Sequence, residues 1–275
     1  MIRAFTVIYV IWLREAKLAA RERARIIATV AQPLIYLAIL GRGITSGMRL
    51  TNAGNVDYIK FMYPGVIGMS ILFTSIFSAI SIIWDREFGF LKEVLVAPVP
   101  RWAVAIGKSF GGATVALVQV VILVAIAPLV GIALSPIIVV EMLFLGFLMS
   151  IAVTSLGIIV ASKMQSMQSF QMVMNFLVMP LYFLSGAMFP MASAPGWMRT
   201  LMMADPLTYG VDAIRNVVFS HTVLRVGTTS ESLVAVARTS GLIRFPLSHD
   251  IGLMAATAII LSAAGAWTFS KSQAA

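Results

Sequence analysis

Three consecutive residues, Gly107, Lys108 and Ser109, have the types that end a phosphate-binding loop. In such a loop a second glycine lies five residues before the last one, and backbone N–H groups then surround the phosphates. Trp102 occupies that position, so the backbone nest is absent. We predict that the chain has no nucleotide site and therefore no ATP or Mg²⁺ cofactor of its own.

Residue types that serve metal binding or catalysis are also sparse. His221 and His249 lie far apart without carboxylates at ligand spacing, which predicts that the chain has no metal site. No nucleophile elbow and no pair of carboxylates within an apolar segment is present. Glu141 lies near the end of one apolar segment, where we expect it to reach the membrane interface rather than relay protons. The chain is predicted not to be an enzyme.

Charged residues are grouped in the connection from Asp85 to Arg101, between two apolar segments. Leu91, Val94 and Leu95 recur at helical spacing, which predicts a short amphipathic helix. Pro98 and Pro100 end that helix. The charged residues around the apolar stripe are Glu87, Lys92, Glu93 and Arg101. A helix of this kind fits a groove on another protein, although these residues are equally compatible with an ordinary solvated loop.

A second informative segment runs from Pro180 to Arg215, where an apolar segment stalls at Ser185 and Gly186 and remains rich in Met, Leu and Phe. Three prolines follow, at 190, 195 and 206. Backbone that leaves the helix at membrane depth must be buried in protein or line a water-filled cavity. We therefore predict a broken span that ends in short re-entrant helices, an arrangement that suits a transport path better than a lipid anchor.

Polar residues recur at roughly helical spacing just before this break: Gln165, Gln168, Gln171 and Asn175. Polar side chains in a membrane helix are expected to face the bundle or a cavity. Apolar side chains of the second and fifth spans are candidates for an adaptable path lining, although for any one of them a role in helix packing or a lipid-facing position is the more common one: Phe73, Phe77, Met172, Met174, Met179, Tyr182 and Phe183.

The amino-acid composition indicates that most of the chain lies in a lipid bilayer rather than in water. Of 275 residues, 60% are hydrophobic and 11% are charged, against about 25% charged in ordinary soluble domains. We predict an all-α integral membrane protein. The net charge of +9 reflects basic residues beside membrane ends. Nucleic-acid binding is not expected, because these residues are scattered and lack interleaved aromatics.

Six apolar runs are long enough to cross a bilayer, which takes about 20 residues. They are Ile26–Gly43, Phe61–Trp84, Val104–Ala133, Ile137–Ala161, Phe170–Phe189 and Ile251–Phe269. Lys and Arg are concentrated on the side that holds the N-terminus, which predicts that both termini are cytoplasmic. One domain accounts for 1–275: an interfacial helix (1–25), spans one and two (26–84), a cytoplasmic loop (85–102), spans three to five (103–189), a re-entrant and extracytoplasmic segment (190–250) and span six (251–270).

The first 25 residues are predicted to form an interfacial helix. Ile2, Phe5, Ile8, Tyr9 and Trp12 recur at helical spacing, and a basic stretch follows them. A signal peptide would place a cleavage site where this stretch lies. A partly buried extension of the first span is the alternative.

The sequence DREFGFLKEVLVAPVPRWAVAIGK at 85–108, together with LSGAMFP at 184–190 and DPLTYGVDAIR at 205–215, resembles the membrane subunit of type-2 ABC exporters, in their drug-resistance-like branch. The resemblance covers essentially the whole chain. It implies a multi-pass protein of a prokaryotic cell membrane. Two membrane subunits, expected to be two copies of this chain, would pair in the lipid bilayer, and two separate ATPase subunits would bind ATP and Mg²⁺.

The resemblance also assigns roles to individual residues. The coupling helix, which enters a cleft in the ATPase, would lie within 85–101, and the N-terminal helix would be a second ATPase contact. The ATPase-coupling residues would be Asp85, Glu87, Gly89, Leu91, Lys92, Glu93, Pro98 and Arg101. The residues of the re-entrant signature and transport path would be Gln171, Asn175, Tyr182, Gly186, Phe189, Pro190, Pro206, Tyr209 and Arg215. Phe90 and Lys92 stand where one branch of the family has Thr and Glu.

These features lead to the expectation of an ATP-driven exporter of an amphipathic drug-like or lipid-like substrate. Export of a lipid-linked glycan or polysaccharide is the alternative. A secondary carrier usually has ionisable groups at mid-membrane, and this chain is nearly bare of them. An ATPase-docking helix would serve neither a carrier nor a channel.

Overall fold

The computed structural model describes residues 2–22, 27, 31–39, 58–90, 99–220, 223–226 and 229–272. Its helices, in chain order, are α1 (Ile2–Arg21), a segment at 31–39, α2 (Tyr58–Ser78), α3 (Ser81–Glu87), α4 (Arg101–Ile126), α5 (Pro136–Lys163), α6 (Met167–Leu184), α7 (Gly196–Ala204), α8 (Pro206–Ser220), α9 (Leu233–Thr239) and α10 (Leu247–Ser272). Strands β1 (Val223–Val226) and β2 (Thr229–Ser232) pair in an antiparallel hairpin. Helical turns at Ala127–Val130 and Met191–Ser193 complete the described elements.

Five segments in the described part are long and apolar enough to cross a membrane. They are Ile59–Glu87, which joins α2 and α3, Arg101–Val130, Pro136–Lys163, Met167–Leu184 and Leu247–Ser272. These correspond to predicted spans two to six. The first predicted span, Ile26–Gly43, is described only at residue 27 and at residues 31–39, which are helical. The prediction of an all-α membrane fold is confirmed, with one short hairpin added.

The helix ends follow local chemistry. The Ser135 and Ser166 side chains accept hydrogen bonds from the first turns of α5 and α6 and cap those helices. Helix α6 ends at Leu184, five residues before the predicted end of this span, because Gly186 has a φ of +71°. Helix α10 begins four residues before the predicted Ile251, so Asp250 lies within its first turn.

Helix α5 is the centre of the bundle and packs against α2, α4, α8 and α10. Helix α1 lies along α4, and α8 fills the space between α2, α5 and α10. Helix α2 is the most buried span, and α6 and α10 are the most exposed. The bundle therefore leaves most of the surface of α6 without a neighbour from the described part of the same chain.

Candidate functional site

Four charged side chains join three helices at the end of the bundle that we predict to be cytoplasmic. Asp85 of α3 accepts from Arg14 of α1 (Nη2–Oδ1 2.6 Å) and lies 2.6 Å from Nζ of Lys108 in α4. Lys108 also donates to Glu15 of α1 (3.0 Å) and to the Ser81 hydroxyl (3.0 Å). Lys108 and Asp85 are buried. We call Arg14, Glu15, Asp85 and Lys108 the ion-pair cluster.

Close packing of α1 against α4 makes this cluster possible. A Cβ atom at Gly107 would lie 2.9 Å from Cβ of Ile11, and one at Gly111 would lie 2.5 Å from Cβ of Glu15. Real Cβ atoms do not approach so closely, so glycine at both positions lets the helices meet. The Trp12 indole donates to the Thr114 hydroxyl (2.8 Å) and holds the same contact. The two glycines belong to a regular helix, which also excludes a phosphate-binding loop at 107–109.

The cluster touches the predicted coupling loop. The Arg14 guanidinium lies 3.8 Å from the ring centroid of Phe90, which directly precedes the undescribed residues 91–98. Four of the predicted coupling residues, Leu91, Lys92, Glu93 and Pro98, therefore lie outside the described residues.

The other predicted coupling residues, which the structure does describe, differ in how far they are exposed to solvent. Glu87 is exposed at the end of α3, and Gly89 follows with a φ of +82°. Arg101 is half-buried in the first turn of α4. The carboxylate of Asp85 is buried and paired within the chain, and its role in ATPase coupling stays a prediction. The sequence did not reveal the partners of Asp85, because Arg14 lies 71 residues away from it along the chain. Lys108 bridges Asp85 to Glu15, which lies 93 residues from Lys108.

The break after α6 is held by a buried arginine. Arg215 of α8 donates to the carbonyls of Gly186 (2.9 Å) and Leu242 (3.3 Å), and its guanidinium lies 4.2 Å from the Phe61 ring centroid. The Thr208 hydroxyl donates to the Met202 carbonyl (2.7 Å). Arg215 was expected in the transport path, but it is buried and organises the break from inside the chain.

Three buried aspartates surround the same region. Asp212 accepts from the backbone N–H groups of Arg244 and Phe245 (3.0 Å each). Asp205, between α7 and α8, accepts from the N–H of Leu207 (3.0 Å); burial raises its pKa to about 7 although that hydrogen bond opposes the shift. Asp250 is fully buried, and neither of its carboxylate oxygens has a hydrogen-bond partner in the described part of the chain. The sequence reading did not identify this acidic group.

One side of α6 is exposed along its length, and we call it the outer face of α6. Its residues are Gln168, Gln171, Met172, Asn175, Phe176, Met179 and Phe183. Gln171 and Asn175 therefore do not face the bundle of their own chain, and their place beside a cavity or transport path stays a prediction. Tyr182 and Met174 were candidates for the path lining, but they are buried against the rest of the chain.

The remaining signature residues line the end of the break. Phe189, Pro190, Pro206 and Tyr209 are half-buried. The Tyr209 hydroxyl donates to the Met203 carbonyl (2.7 Å), and its ring lies 5.5 Å from that of Phe245. These contacts shape short helices that turn back into the molecule, as the broken segment predicted.

Comparison with known proteins shows which family this chain resembles. A family model described as "ABC-2 type transporter" matches residues 6–219. A protein named as a transport permease, ycf38, from Cyanophora paradoxa is 31% identical over 205 residues, which are 73% of this chain and 70% of the relative. Nodulation protein J of Rhizobium leguminosarum bv. trifolii is 27% identical over 222 residues, 79% of this chain and 80% of the relative.

A third relative aligns with this chain over a shorter region. YbhR of Escherichia coli (strain K12), named as a multidrug ABC transporter permease, is 26% identical over 171 residues, which are 59% of this chain and 45% of the relative. The family model, by contrast, covers most of the chain and includes the ion-pair cluster, the broken span and α8. This chain is a multi-pass membrane protein that belongs to the ABC-2 type transporter family.

Proposed function

We propose that the chain is the membrane subunit of an ATP-driven exporter, energised by a separate ATPase that binds ATP and Mg²⁺. The observation that carries this proposal is the ion-pair cluster. It connects the segment before residue 91 to α1, α3 and α4 through buried, short ion pairs. A displacement of the coupling loop therefore moves three helices together.

The coupling step is mechanical. Closure of two ATPase subunits on ATP would push the loop at 91–98, and the cluster would carry that movement to the ends of α2 and α4. Asp85 acts here as a positioning residue, because it holds α3 against α1 and α4 and does not meet the ATPase itself. The loop residues Glu87, Leu91, Lys92 and Glu93 would make the ATPase contact.

The transport path is proposed to lie along the outer face of α6, between two copies of the chain. Gln168, Gln171 and Asn175 would be costly next to lipid tails, so they require a protein partner or water. A second copy that presents the same face would cover them and leave a polar strip between apolar Met and Phe side chains. The break at Gly186 would close this path at its outer end.

The proposed substrate is an amphipathic drug-like or lipid-like molecule. Its support is the mixture of flexible Met side chains and exposed Phe side chains on the outer face of α6. The relative named as a multidrug permease agrees with this choice. Export of a lipid-linked glycan is the second candidate, which the amide strip favours because amides bind hydroxyl groups. We place the chain in the plasma membrane of a prokaryote with both termini in the cytoplasm.

A mild-detergent pull-down tests the assembly. The tagged chain is purified from its native membrane, and co-purifying proteins are identified and quantified by mass spectrometry. The proposal predicts a soluble ATPase at about one copy per chain. Reproducible recovery of an intact complex that contains this chain alone would contradict the proposal and favour a channel or carrier.

A further inference from the structure

Three consecutive residues of α3 contact different helices of the bundle. Successive side chains of a helix are turned by about 100° from one another, so Trp84, Asp85 and Arg86 point in different directions. Asp85 is the α3 member of the ion-pair cluster and contacts α1 and α4. Trp84 and Arg86 contact the ends of α5 and α6 instead. Helix α3 therefore stands between the ion-pair cluster and the connection from α5 to α6.

Arg86 binds the end of α5. Its guanidinium donates from Nη1 to the Met164 carbonyl (2.7 Å) and from Nη2 to the Ser162 carbonyl (3.4 Å). The last carbonyls of a helix have no partner within the helix and carry partial negative charge, which a cation compensates. Met164 directly follows α5 and has an extended backbone. Arg86 therefore holds the start of the turn that leads into α6.

Trp84 holds the other end of the same turn. Its indole Nε1 donates to Sδ of Met167, the first residue of α6. Residues 164–166 alone connect α5 to α6, so α3 contacts both ends of this connection. Helix α6 is also one of the two most exposed spans. Neighbours in the described part of the chain therefore offer little resistance to a movement of α6 with this turn.

We propose that Arg86 is a positioning residue that carries movement of the coupling loop to α6. This inference rests on the proposed function, since it needs an ATPase that displaces the loop. The ion-pair cluster then moves α1 and α4, while Arg86 moves the turn at 164–166 and with it the outer face of α6. The two donors of a planar guanidinium fix both the distance and the direction of this contact. Arg86 directly follows Asp85 but is not among the predicted coupling residues.

Two cysteine reporters test this inference, because the chain has no cysteine of its own. Val173→Cys on α6 and Val118→Cys on α4 lie at exposed positions, and each is labelled separately with an environment-sensitive fluorophore. The labelled chain is assembled with its ATPase in lipid vesicles, and emission is recorded before and after addition of ATP and Mg²⁺. With Arg86 present, ATP is expected to change the emission at both positions.

Arg86→Met removes both hydrogen bonds to the end of α5. It is expected to abolish the ATP response at position 173 and to retain the response at position 118. A hydrogen bond to a charged group contributes enough free energy to shift an equilibrium about 10-fold, so export should fall about 10-fold while ATP hydrolysis continues. The retained response at position 118 shows that the variant is folded and assembled.

Two further variants separate the contact of Arg86 from its charge. Arg86→Lys retains a donor for the Met164 carbonyl and should restore part of the response at position 173. Lys163→Met removes an exposed cation from the last turn of α5 and should retain both responses. Loss of the response at position 173 in Lys163→Met would overturn the inference, since the charge at the end of α5 would then account for the effect.

The two reporters also distinguish this inference from the proposed function. A response at position 118 and none at position 173, with Arg86 present, would overturn the inference alone, whether or not the Arg86 variants fold. No response at either position would overturn the proposed function together with the inference. A full response at position 173 in Arg86→Met would show that movement reaches α6 by another contact and would overturn the inference.

Discussion

Lys108 is the residue on which the charge balance of the cluster depends. Its ammonium lies 2.6 Å from Asp85 and 3.0 Å from Glu15, in a buried position. Removing one partner of a buried ion pair is strongly destabilising, because the remaining charge stays desolvated. Arg14 compensates Asp85 only in part, since it also pairs with Glu15.

Lys108→Met is expected to lower the free energy of unfolding by about 3 kcal/mol, because two carboxylates then share the single cation Arg14. The combined variant with Asp85→Asn should lose less than the sum of the two single variants, since each removes the same interaction. Unfolding in detergent, measured for all four proteins, gives the coupling energy. Strict additivity would mean that Lys108 and Asp85 do not interact.

Asp205 makes stability depend on pH. An exposed Asp has a pKa of about 3.9, whereas burial raises the pKa of Asp205 to about 7. The folded chain therefore retains a proton that the unfolded chain has lost, and stability falls as the pH rises from about 4 to about 7. The fall is at most about 1.4 kcal/mol per pH unit.

Asp205→Asn should flatten this decline and raise the melting temperature at pH 8. The side-chain oxygen of Asn still accepts the hydrogen bond from Leu207, but the buried position no longer carries a charge. Melting temperatures between pH 5 and pH 8 provide the measurement, with Glu87→Gln at an exposed site as the control. An unchanged pH profile in Asp205→Asn would show that another group is responsible.

The relative positions of helices α6 and α8 depend on the turn at Gly186, which directly follows α6. Gly186 has a left-handed backbone conformation, and its carbonyl accepts from the buried Arg215. The helix ends where a side chain would be strained, and α8 then returns into the core beside α2 and α5. This geometry turns a spanning helix into a re-entrant one.

Gly186→Leu is expected to block export while leaving ATPase binding intact. A non-glycine residue with positive φ costs on the order of 1 kcal/mol, and the turn is expected to shift. Gly196→Leu is the matched control, because a Cβ atom there meets nothing within 4 Å. Substrate export and ATPase recovery are measured for both variants. Normal export by Gly186→Leu would remove the turn from the path.

Across the whole molecule, the features that could be predicted from the sequence are those that depend on residues close together along the chain. Apolar runs located spans two to six, and the prolines together with Gly186 located the broken span. The ion-pair cluster and the partners of Arg215 were not predictable, because they join residues that are distant in sequence. The orientation of Gln171 and Asn175 also depends on packing, since helical spacing shows that they share a face but not which neighbour that face meets.

The absence of cysteine allows a direct test of the proposed pairing of two copies. Asn175→Cys on the outer face of α6 should form a disulfide between two chains when membranes are oxidised. Met174→Cys, which is fully buried in its own chain, should not form one. Covalent dimers are resolved on a non-reducing gel. Dimer formation by the Met174 variant alone would place the interface elsewhere.

We propose that the contact of α1 with α4, through the ion-pair cluster, couples ATP hydrolysis to transport. The most direct measurement compares Gly111→Leu with Gly252→Leu in vesicles that contain the ATPase subunit. A side chain at Gly111 collides with Glu15, whereas a Cβ atom at Gly252 meets nothing within 4 Å. Substrate movement and ATP hydrolysis are recorded on the same assembled preparation. We expect Gly111→Leu to hydrolyse ATP with little transport, whereas Gly252→Leu should retain both activities. Wild-type transport by Gly111→Leu would show that this helix contact does not couple the two.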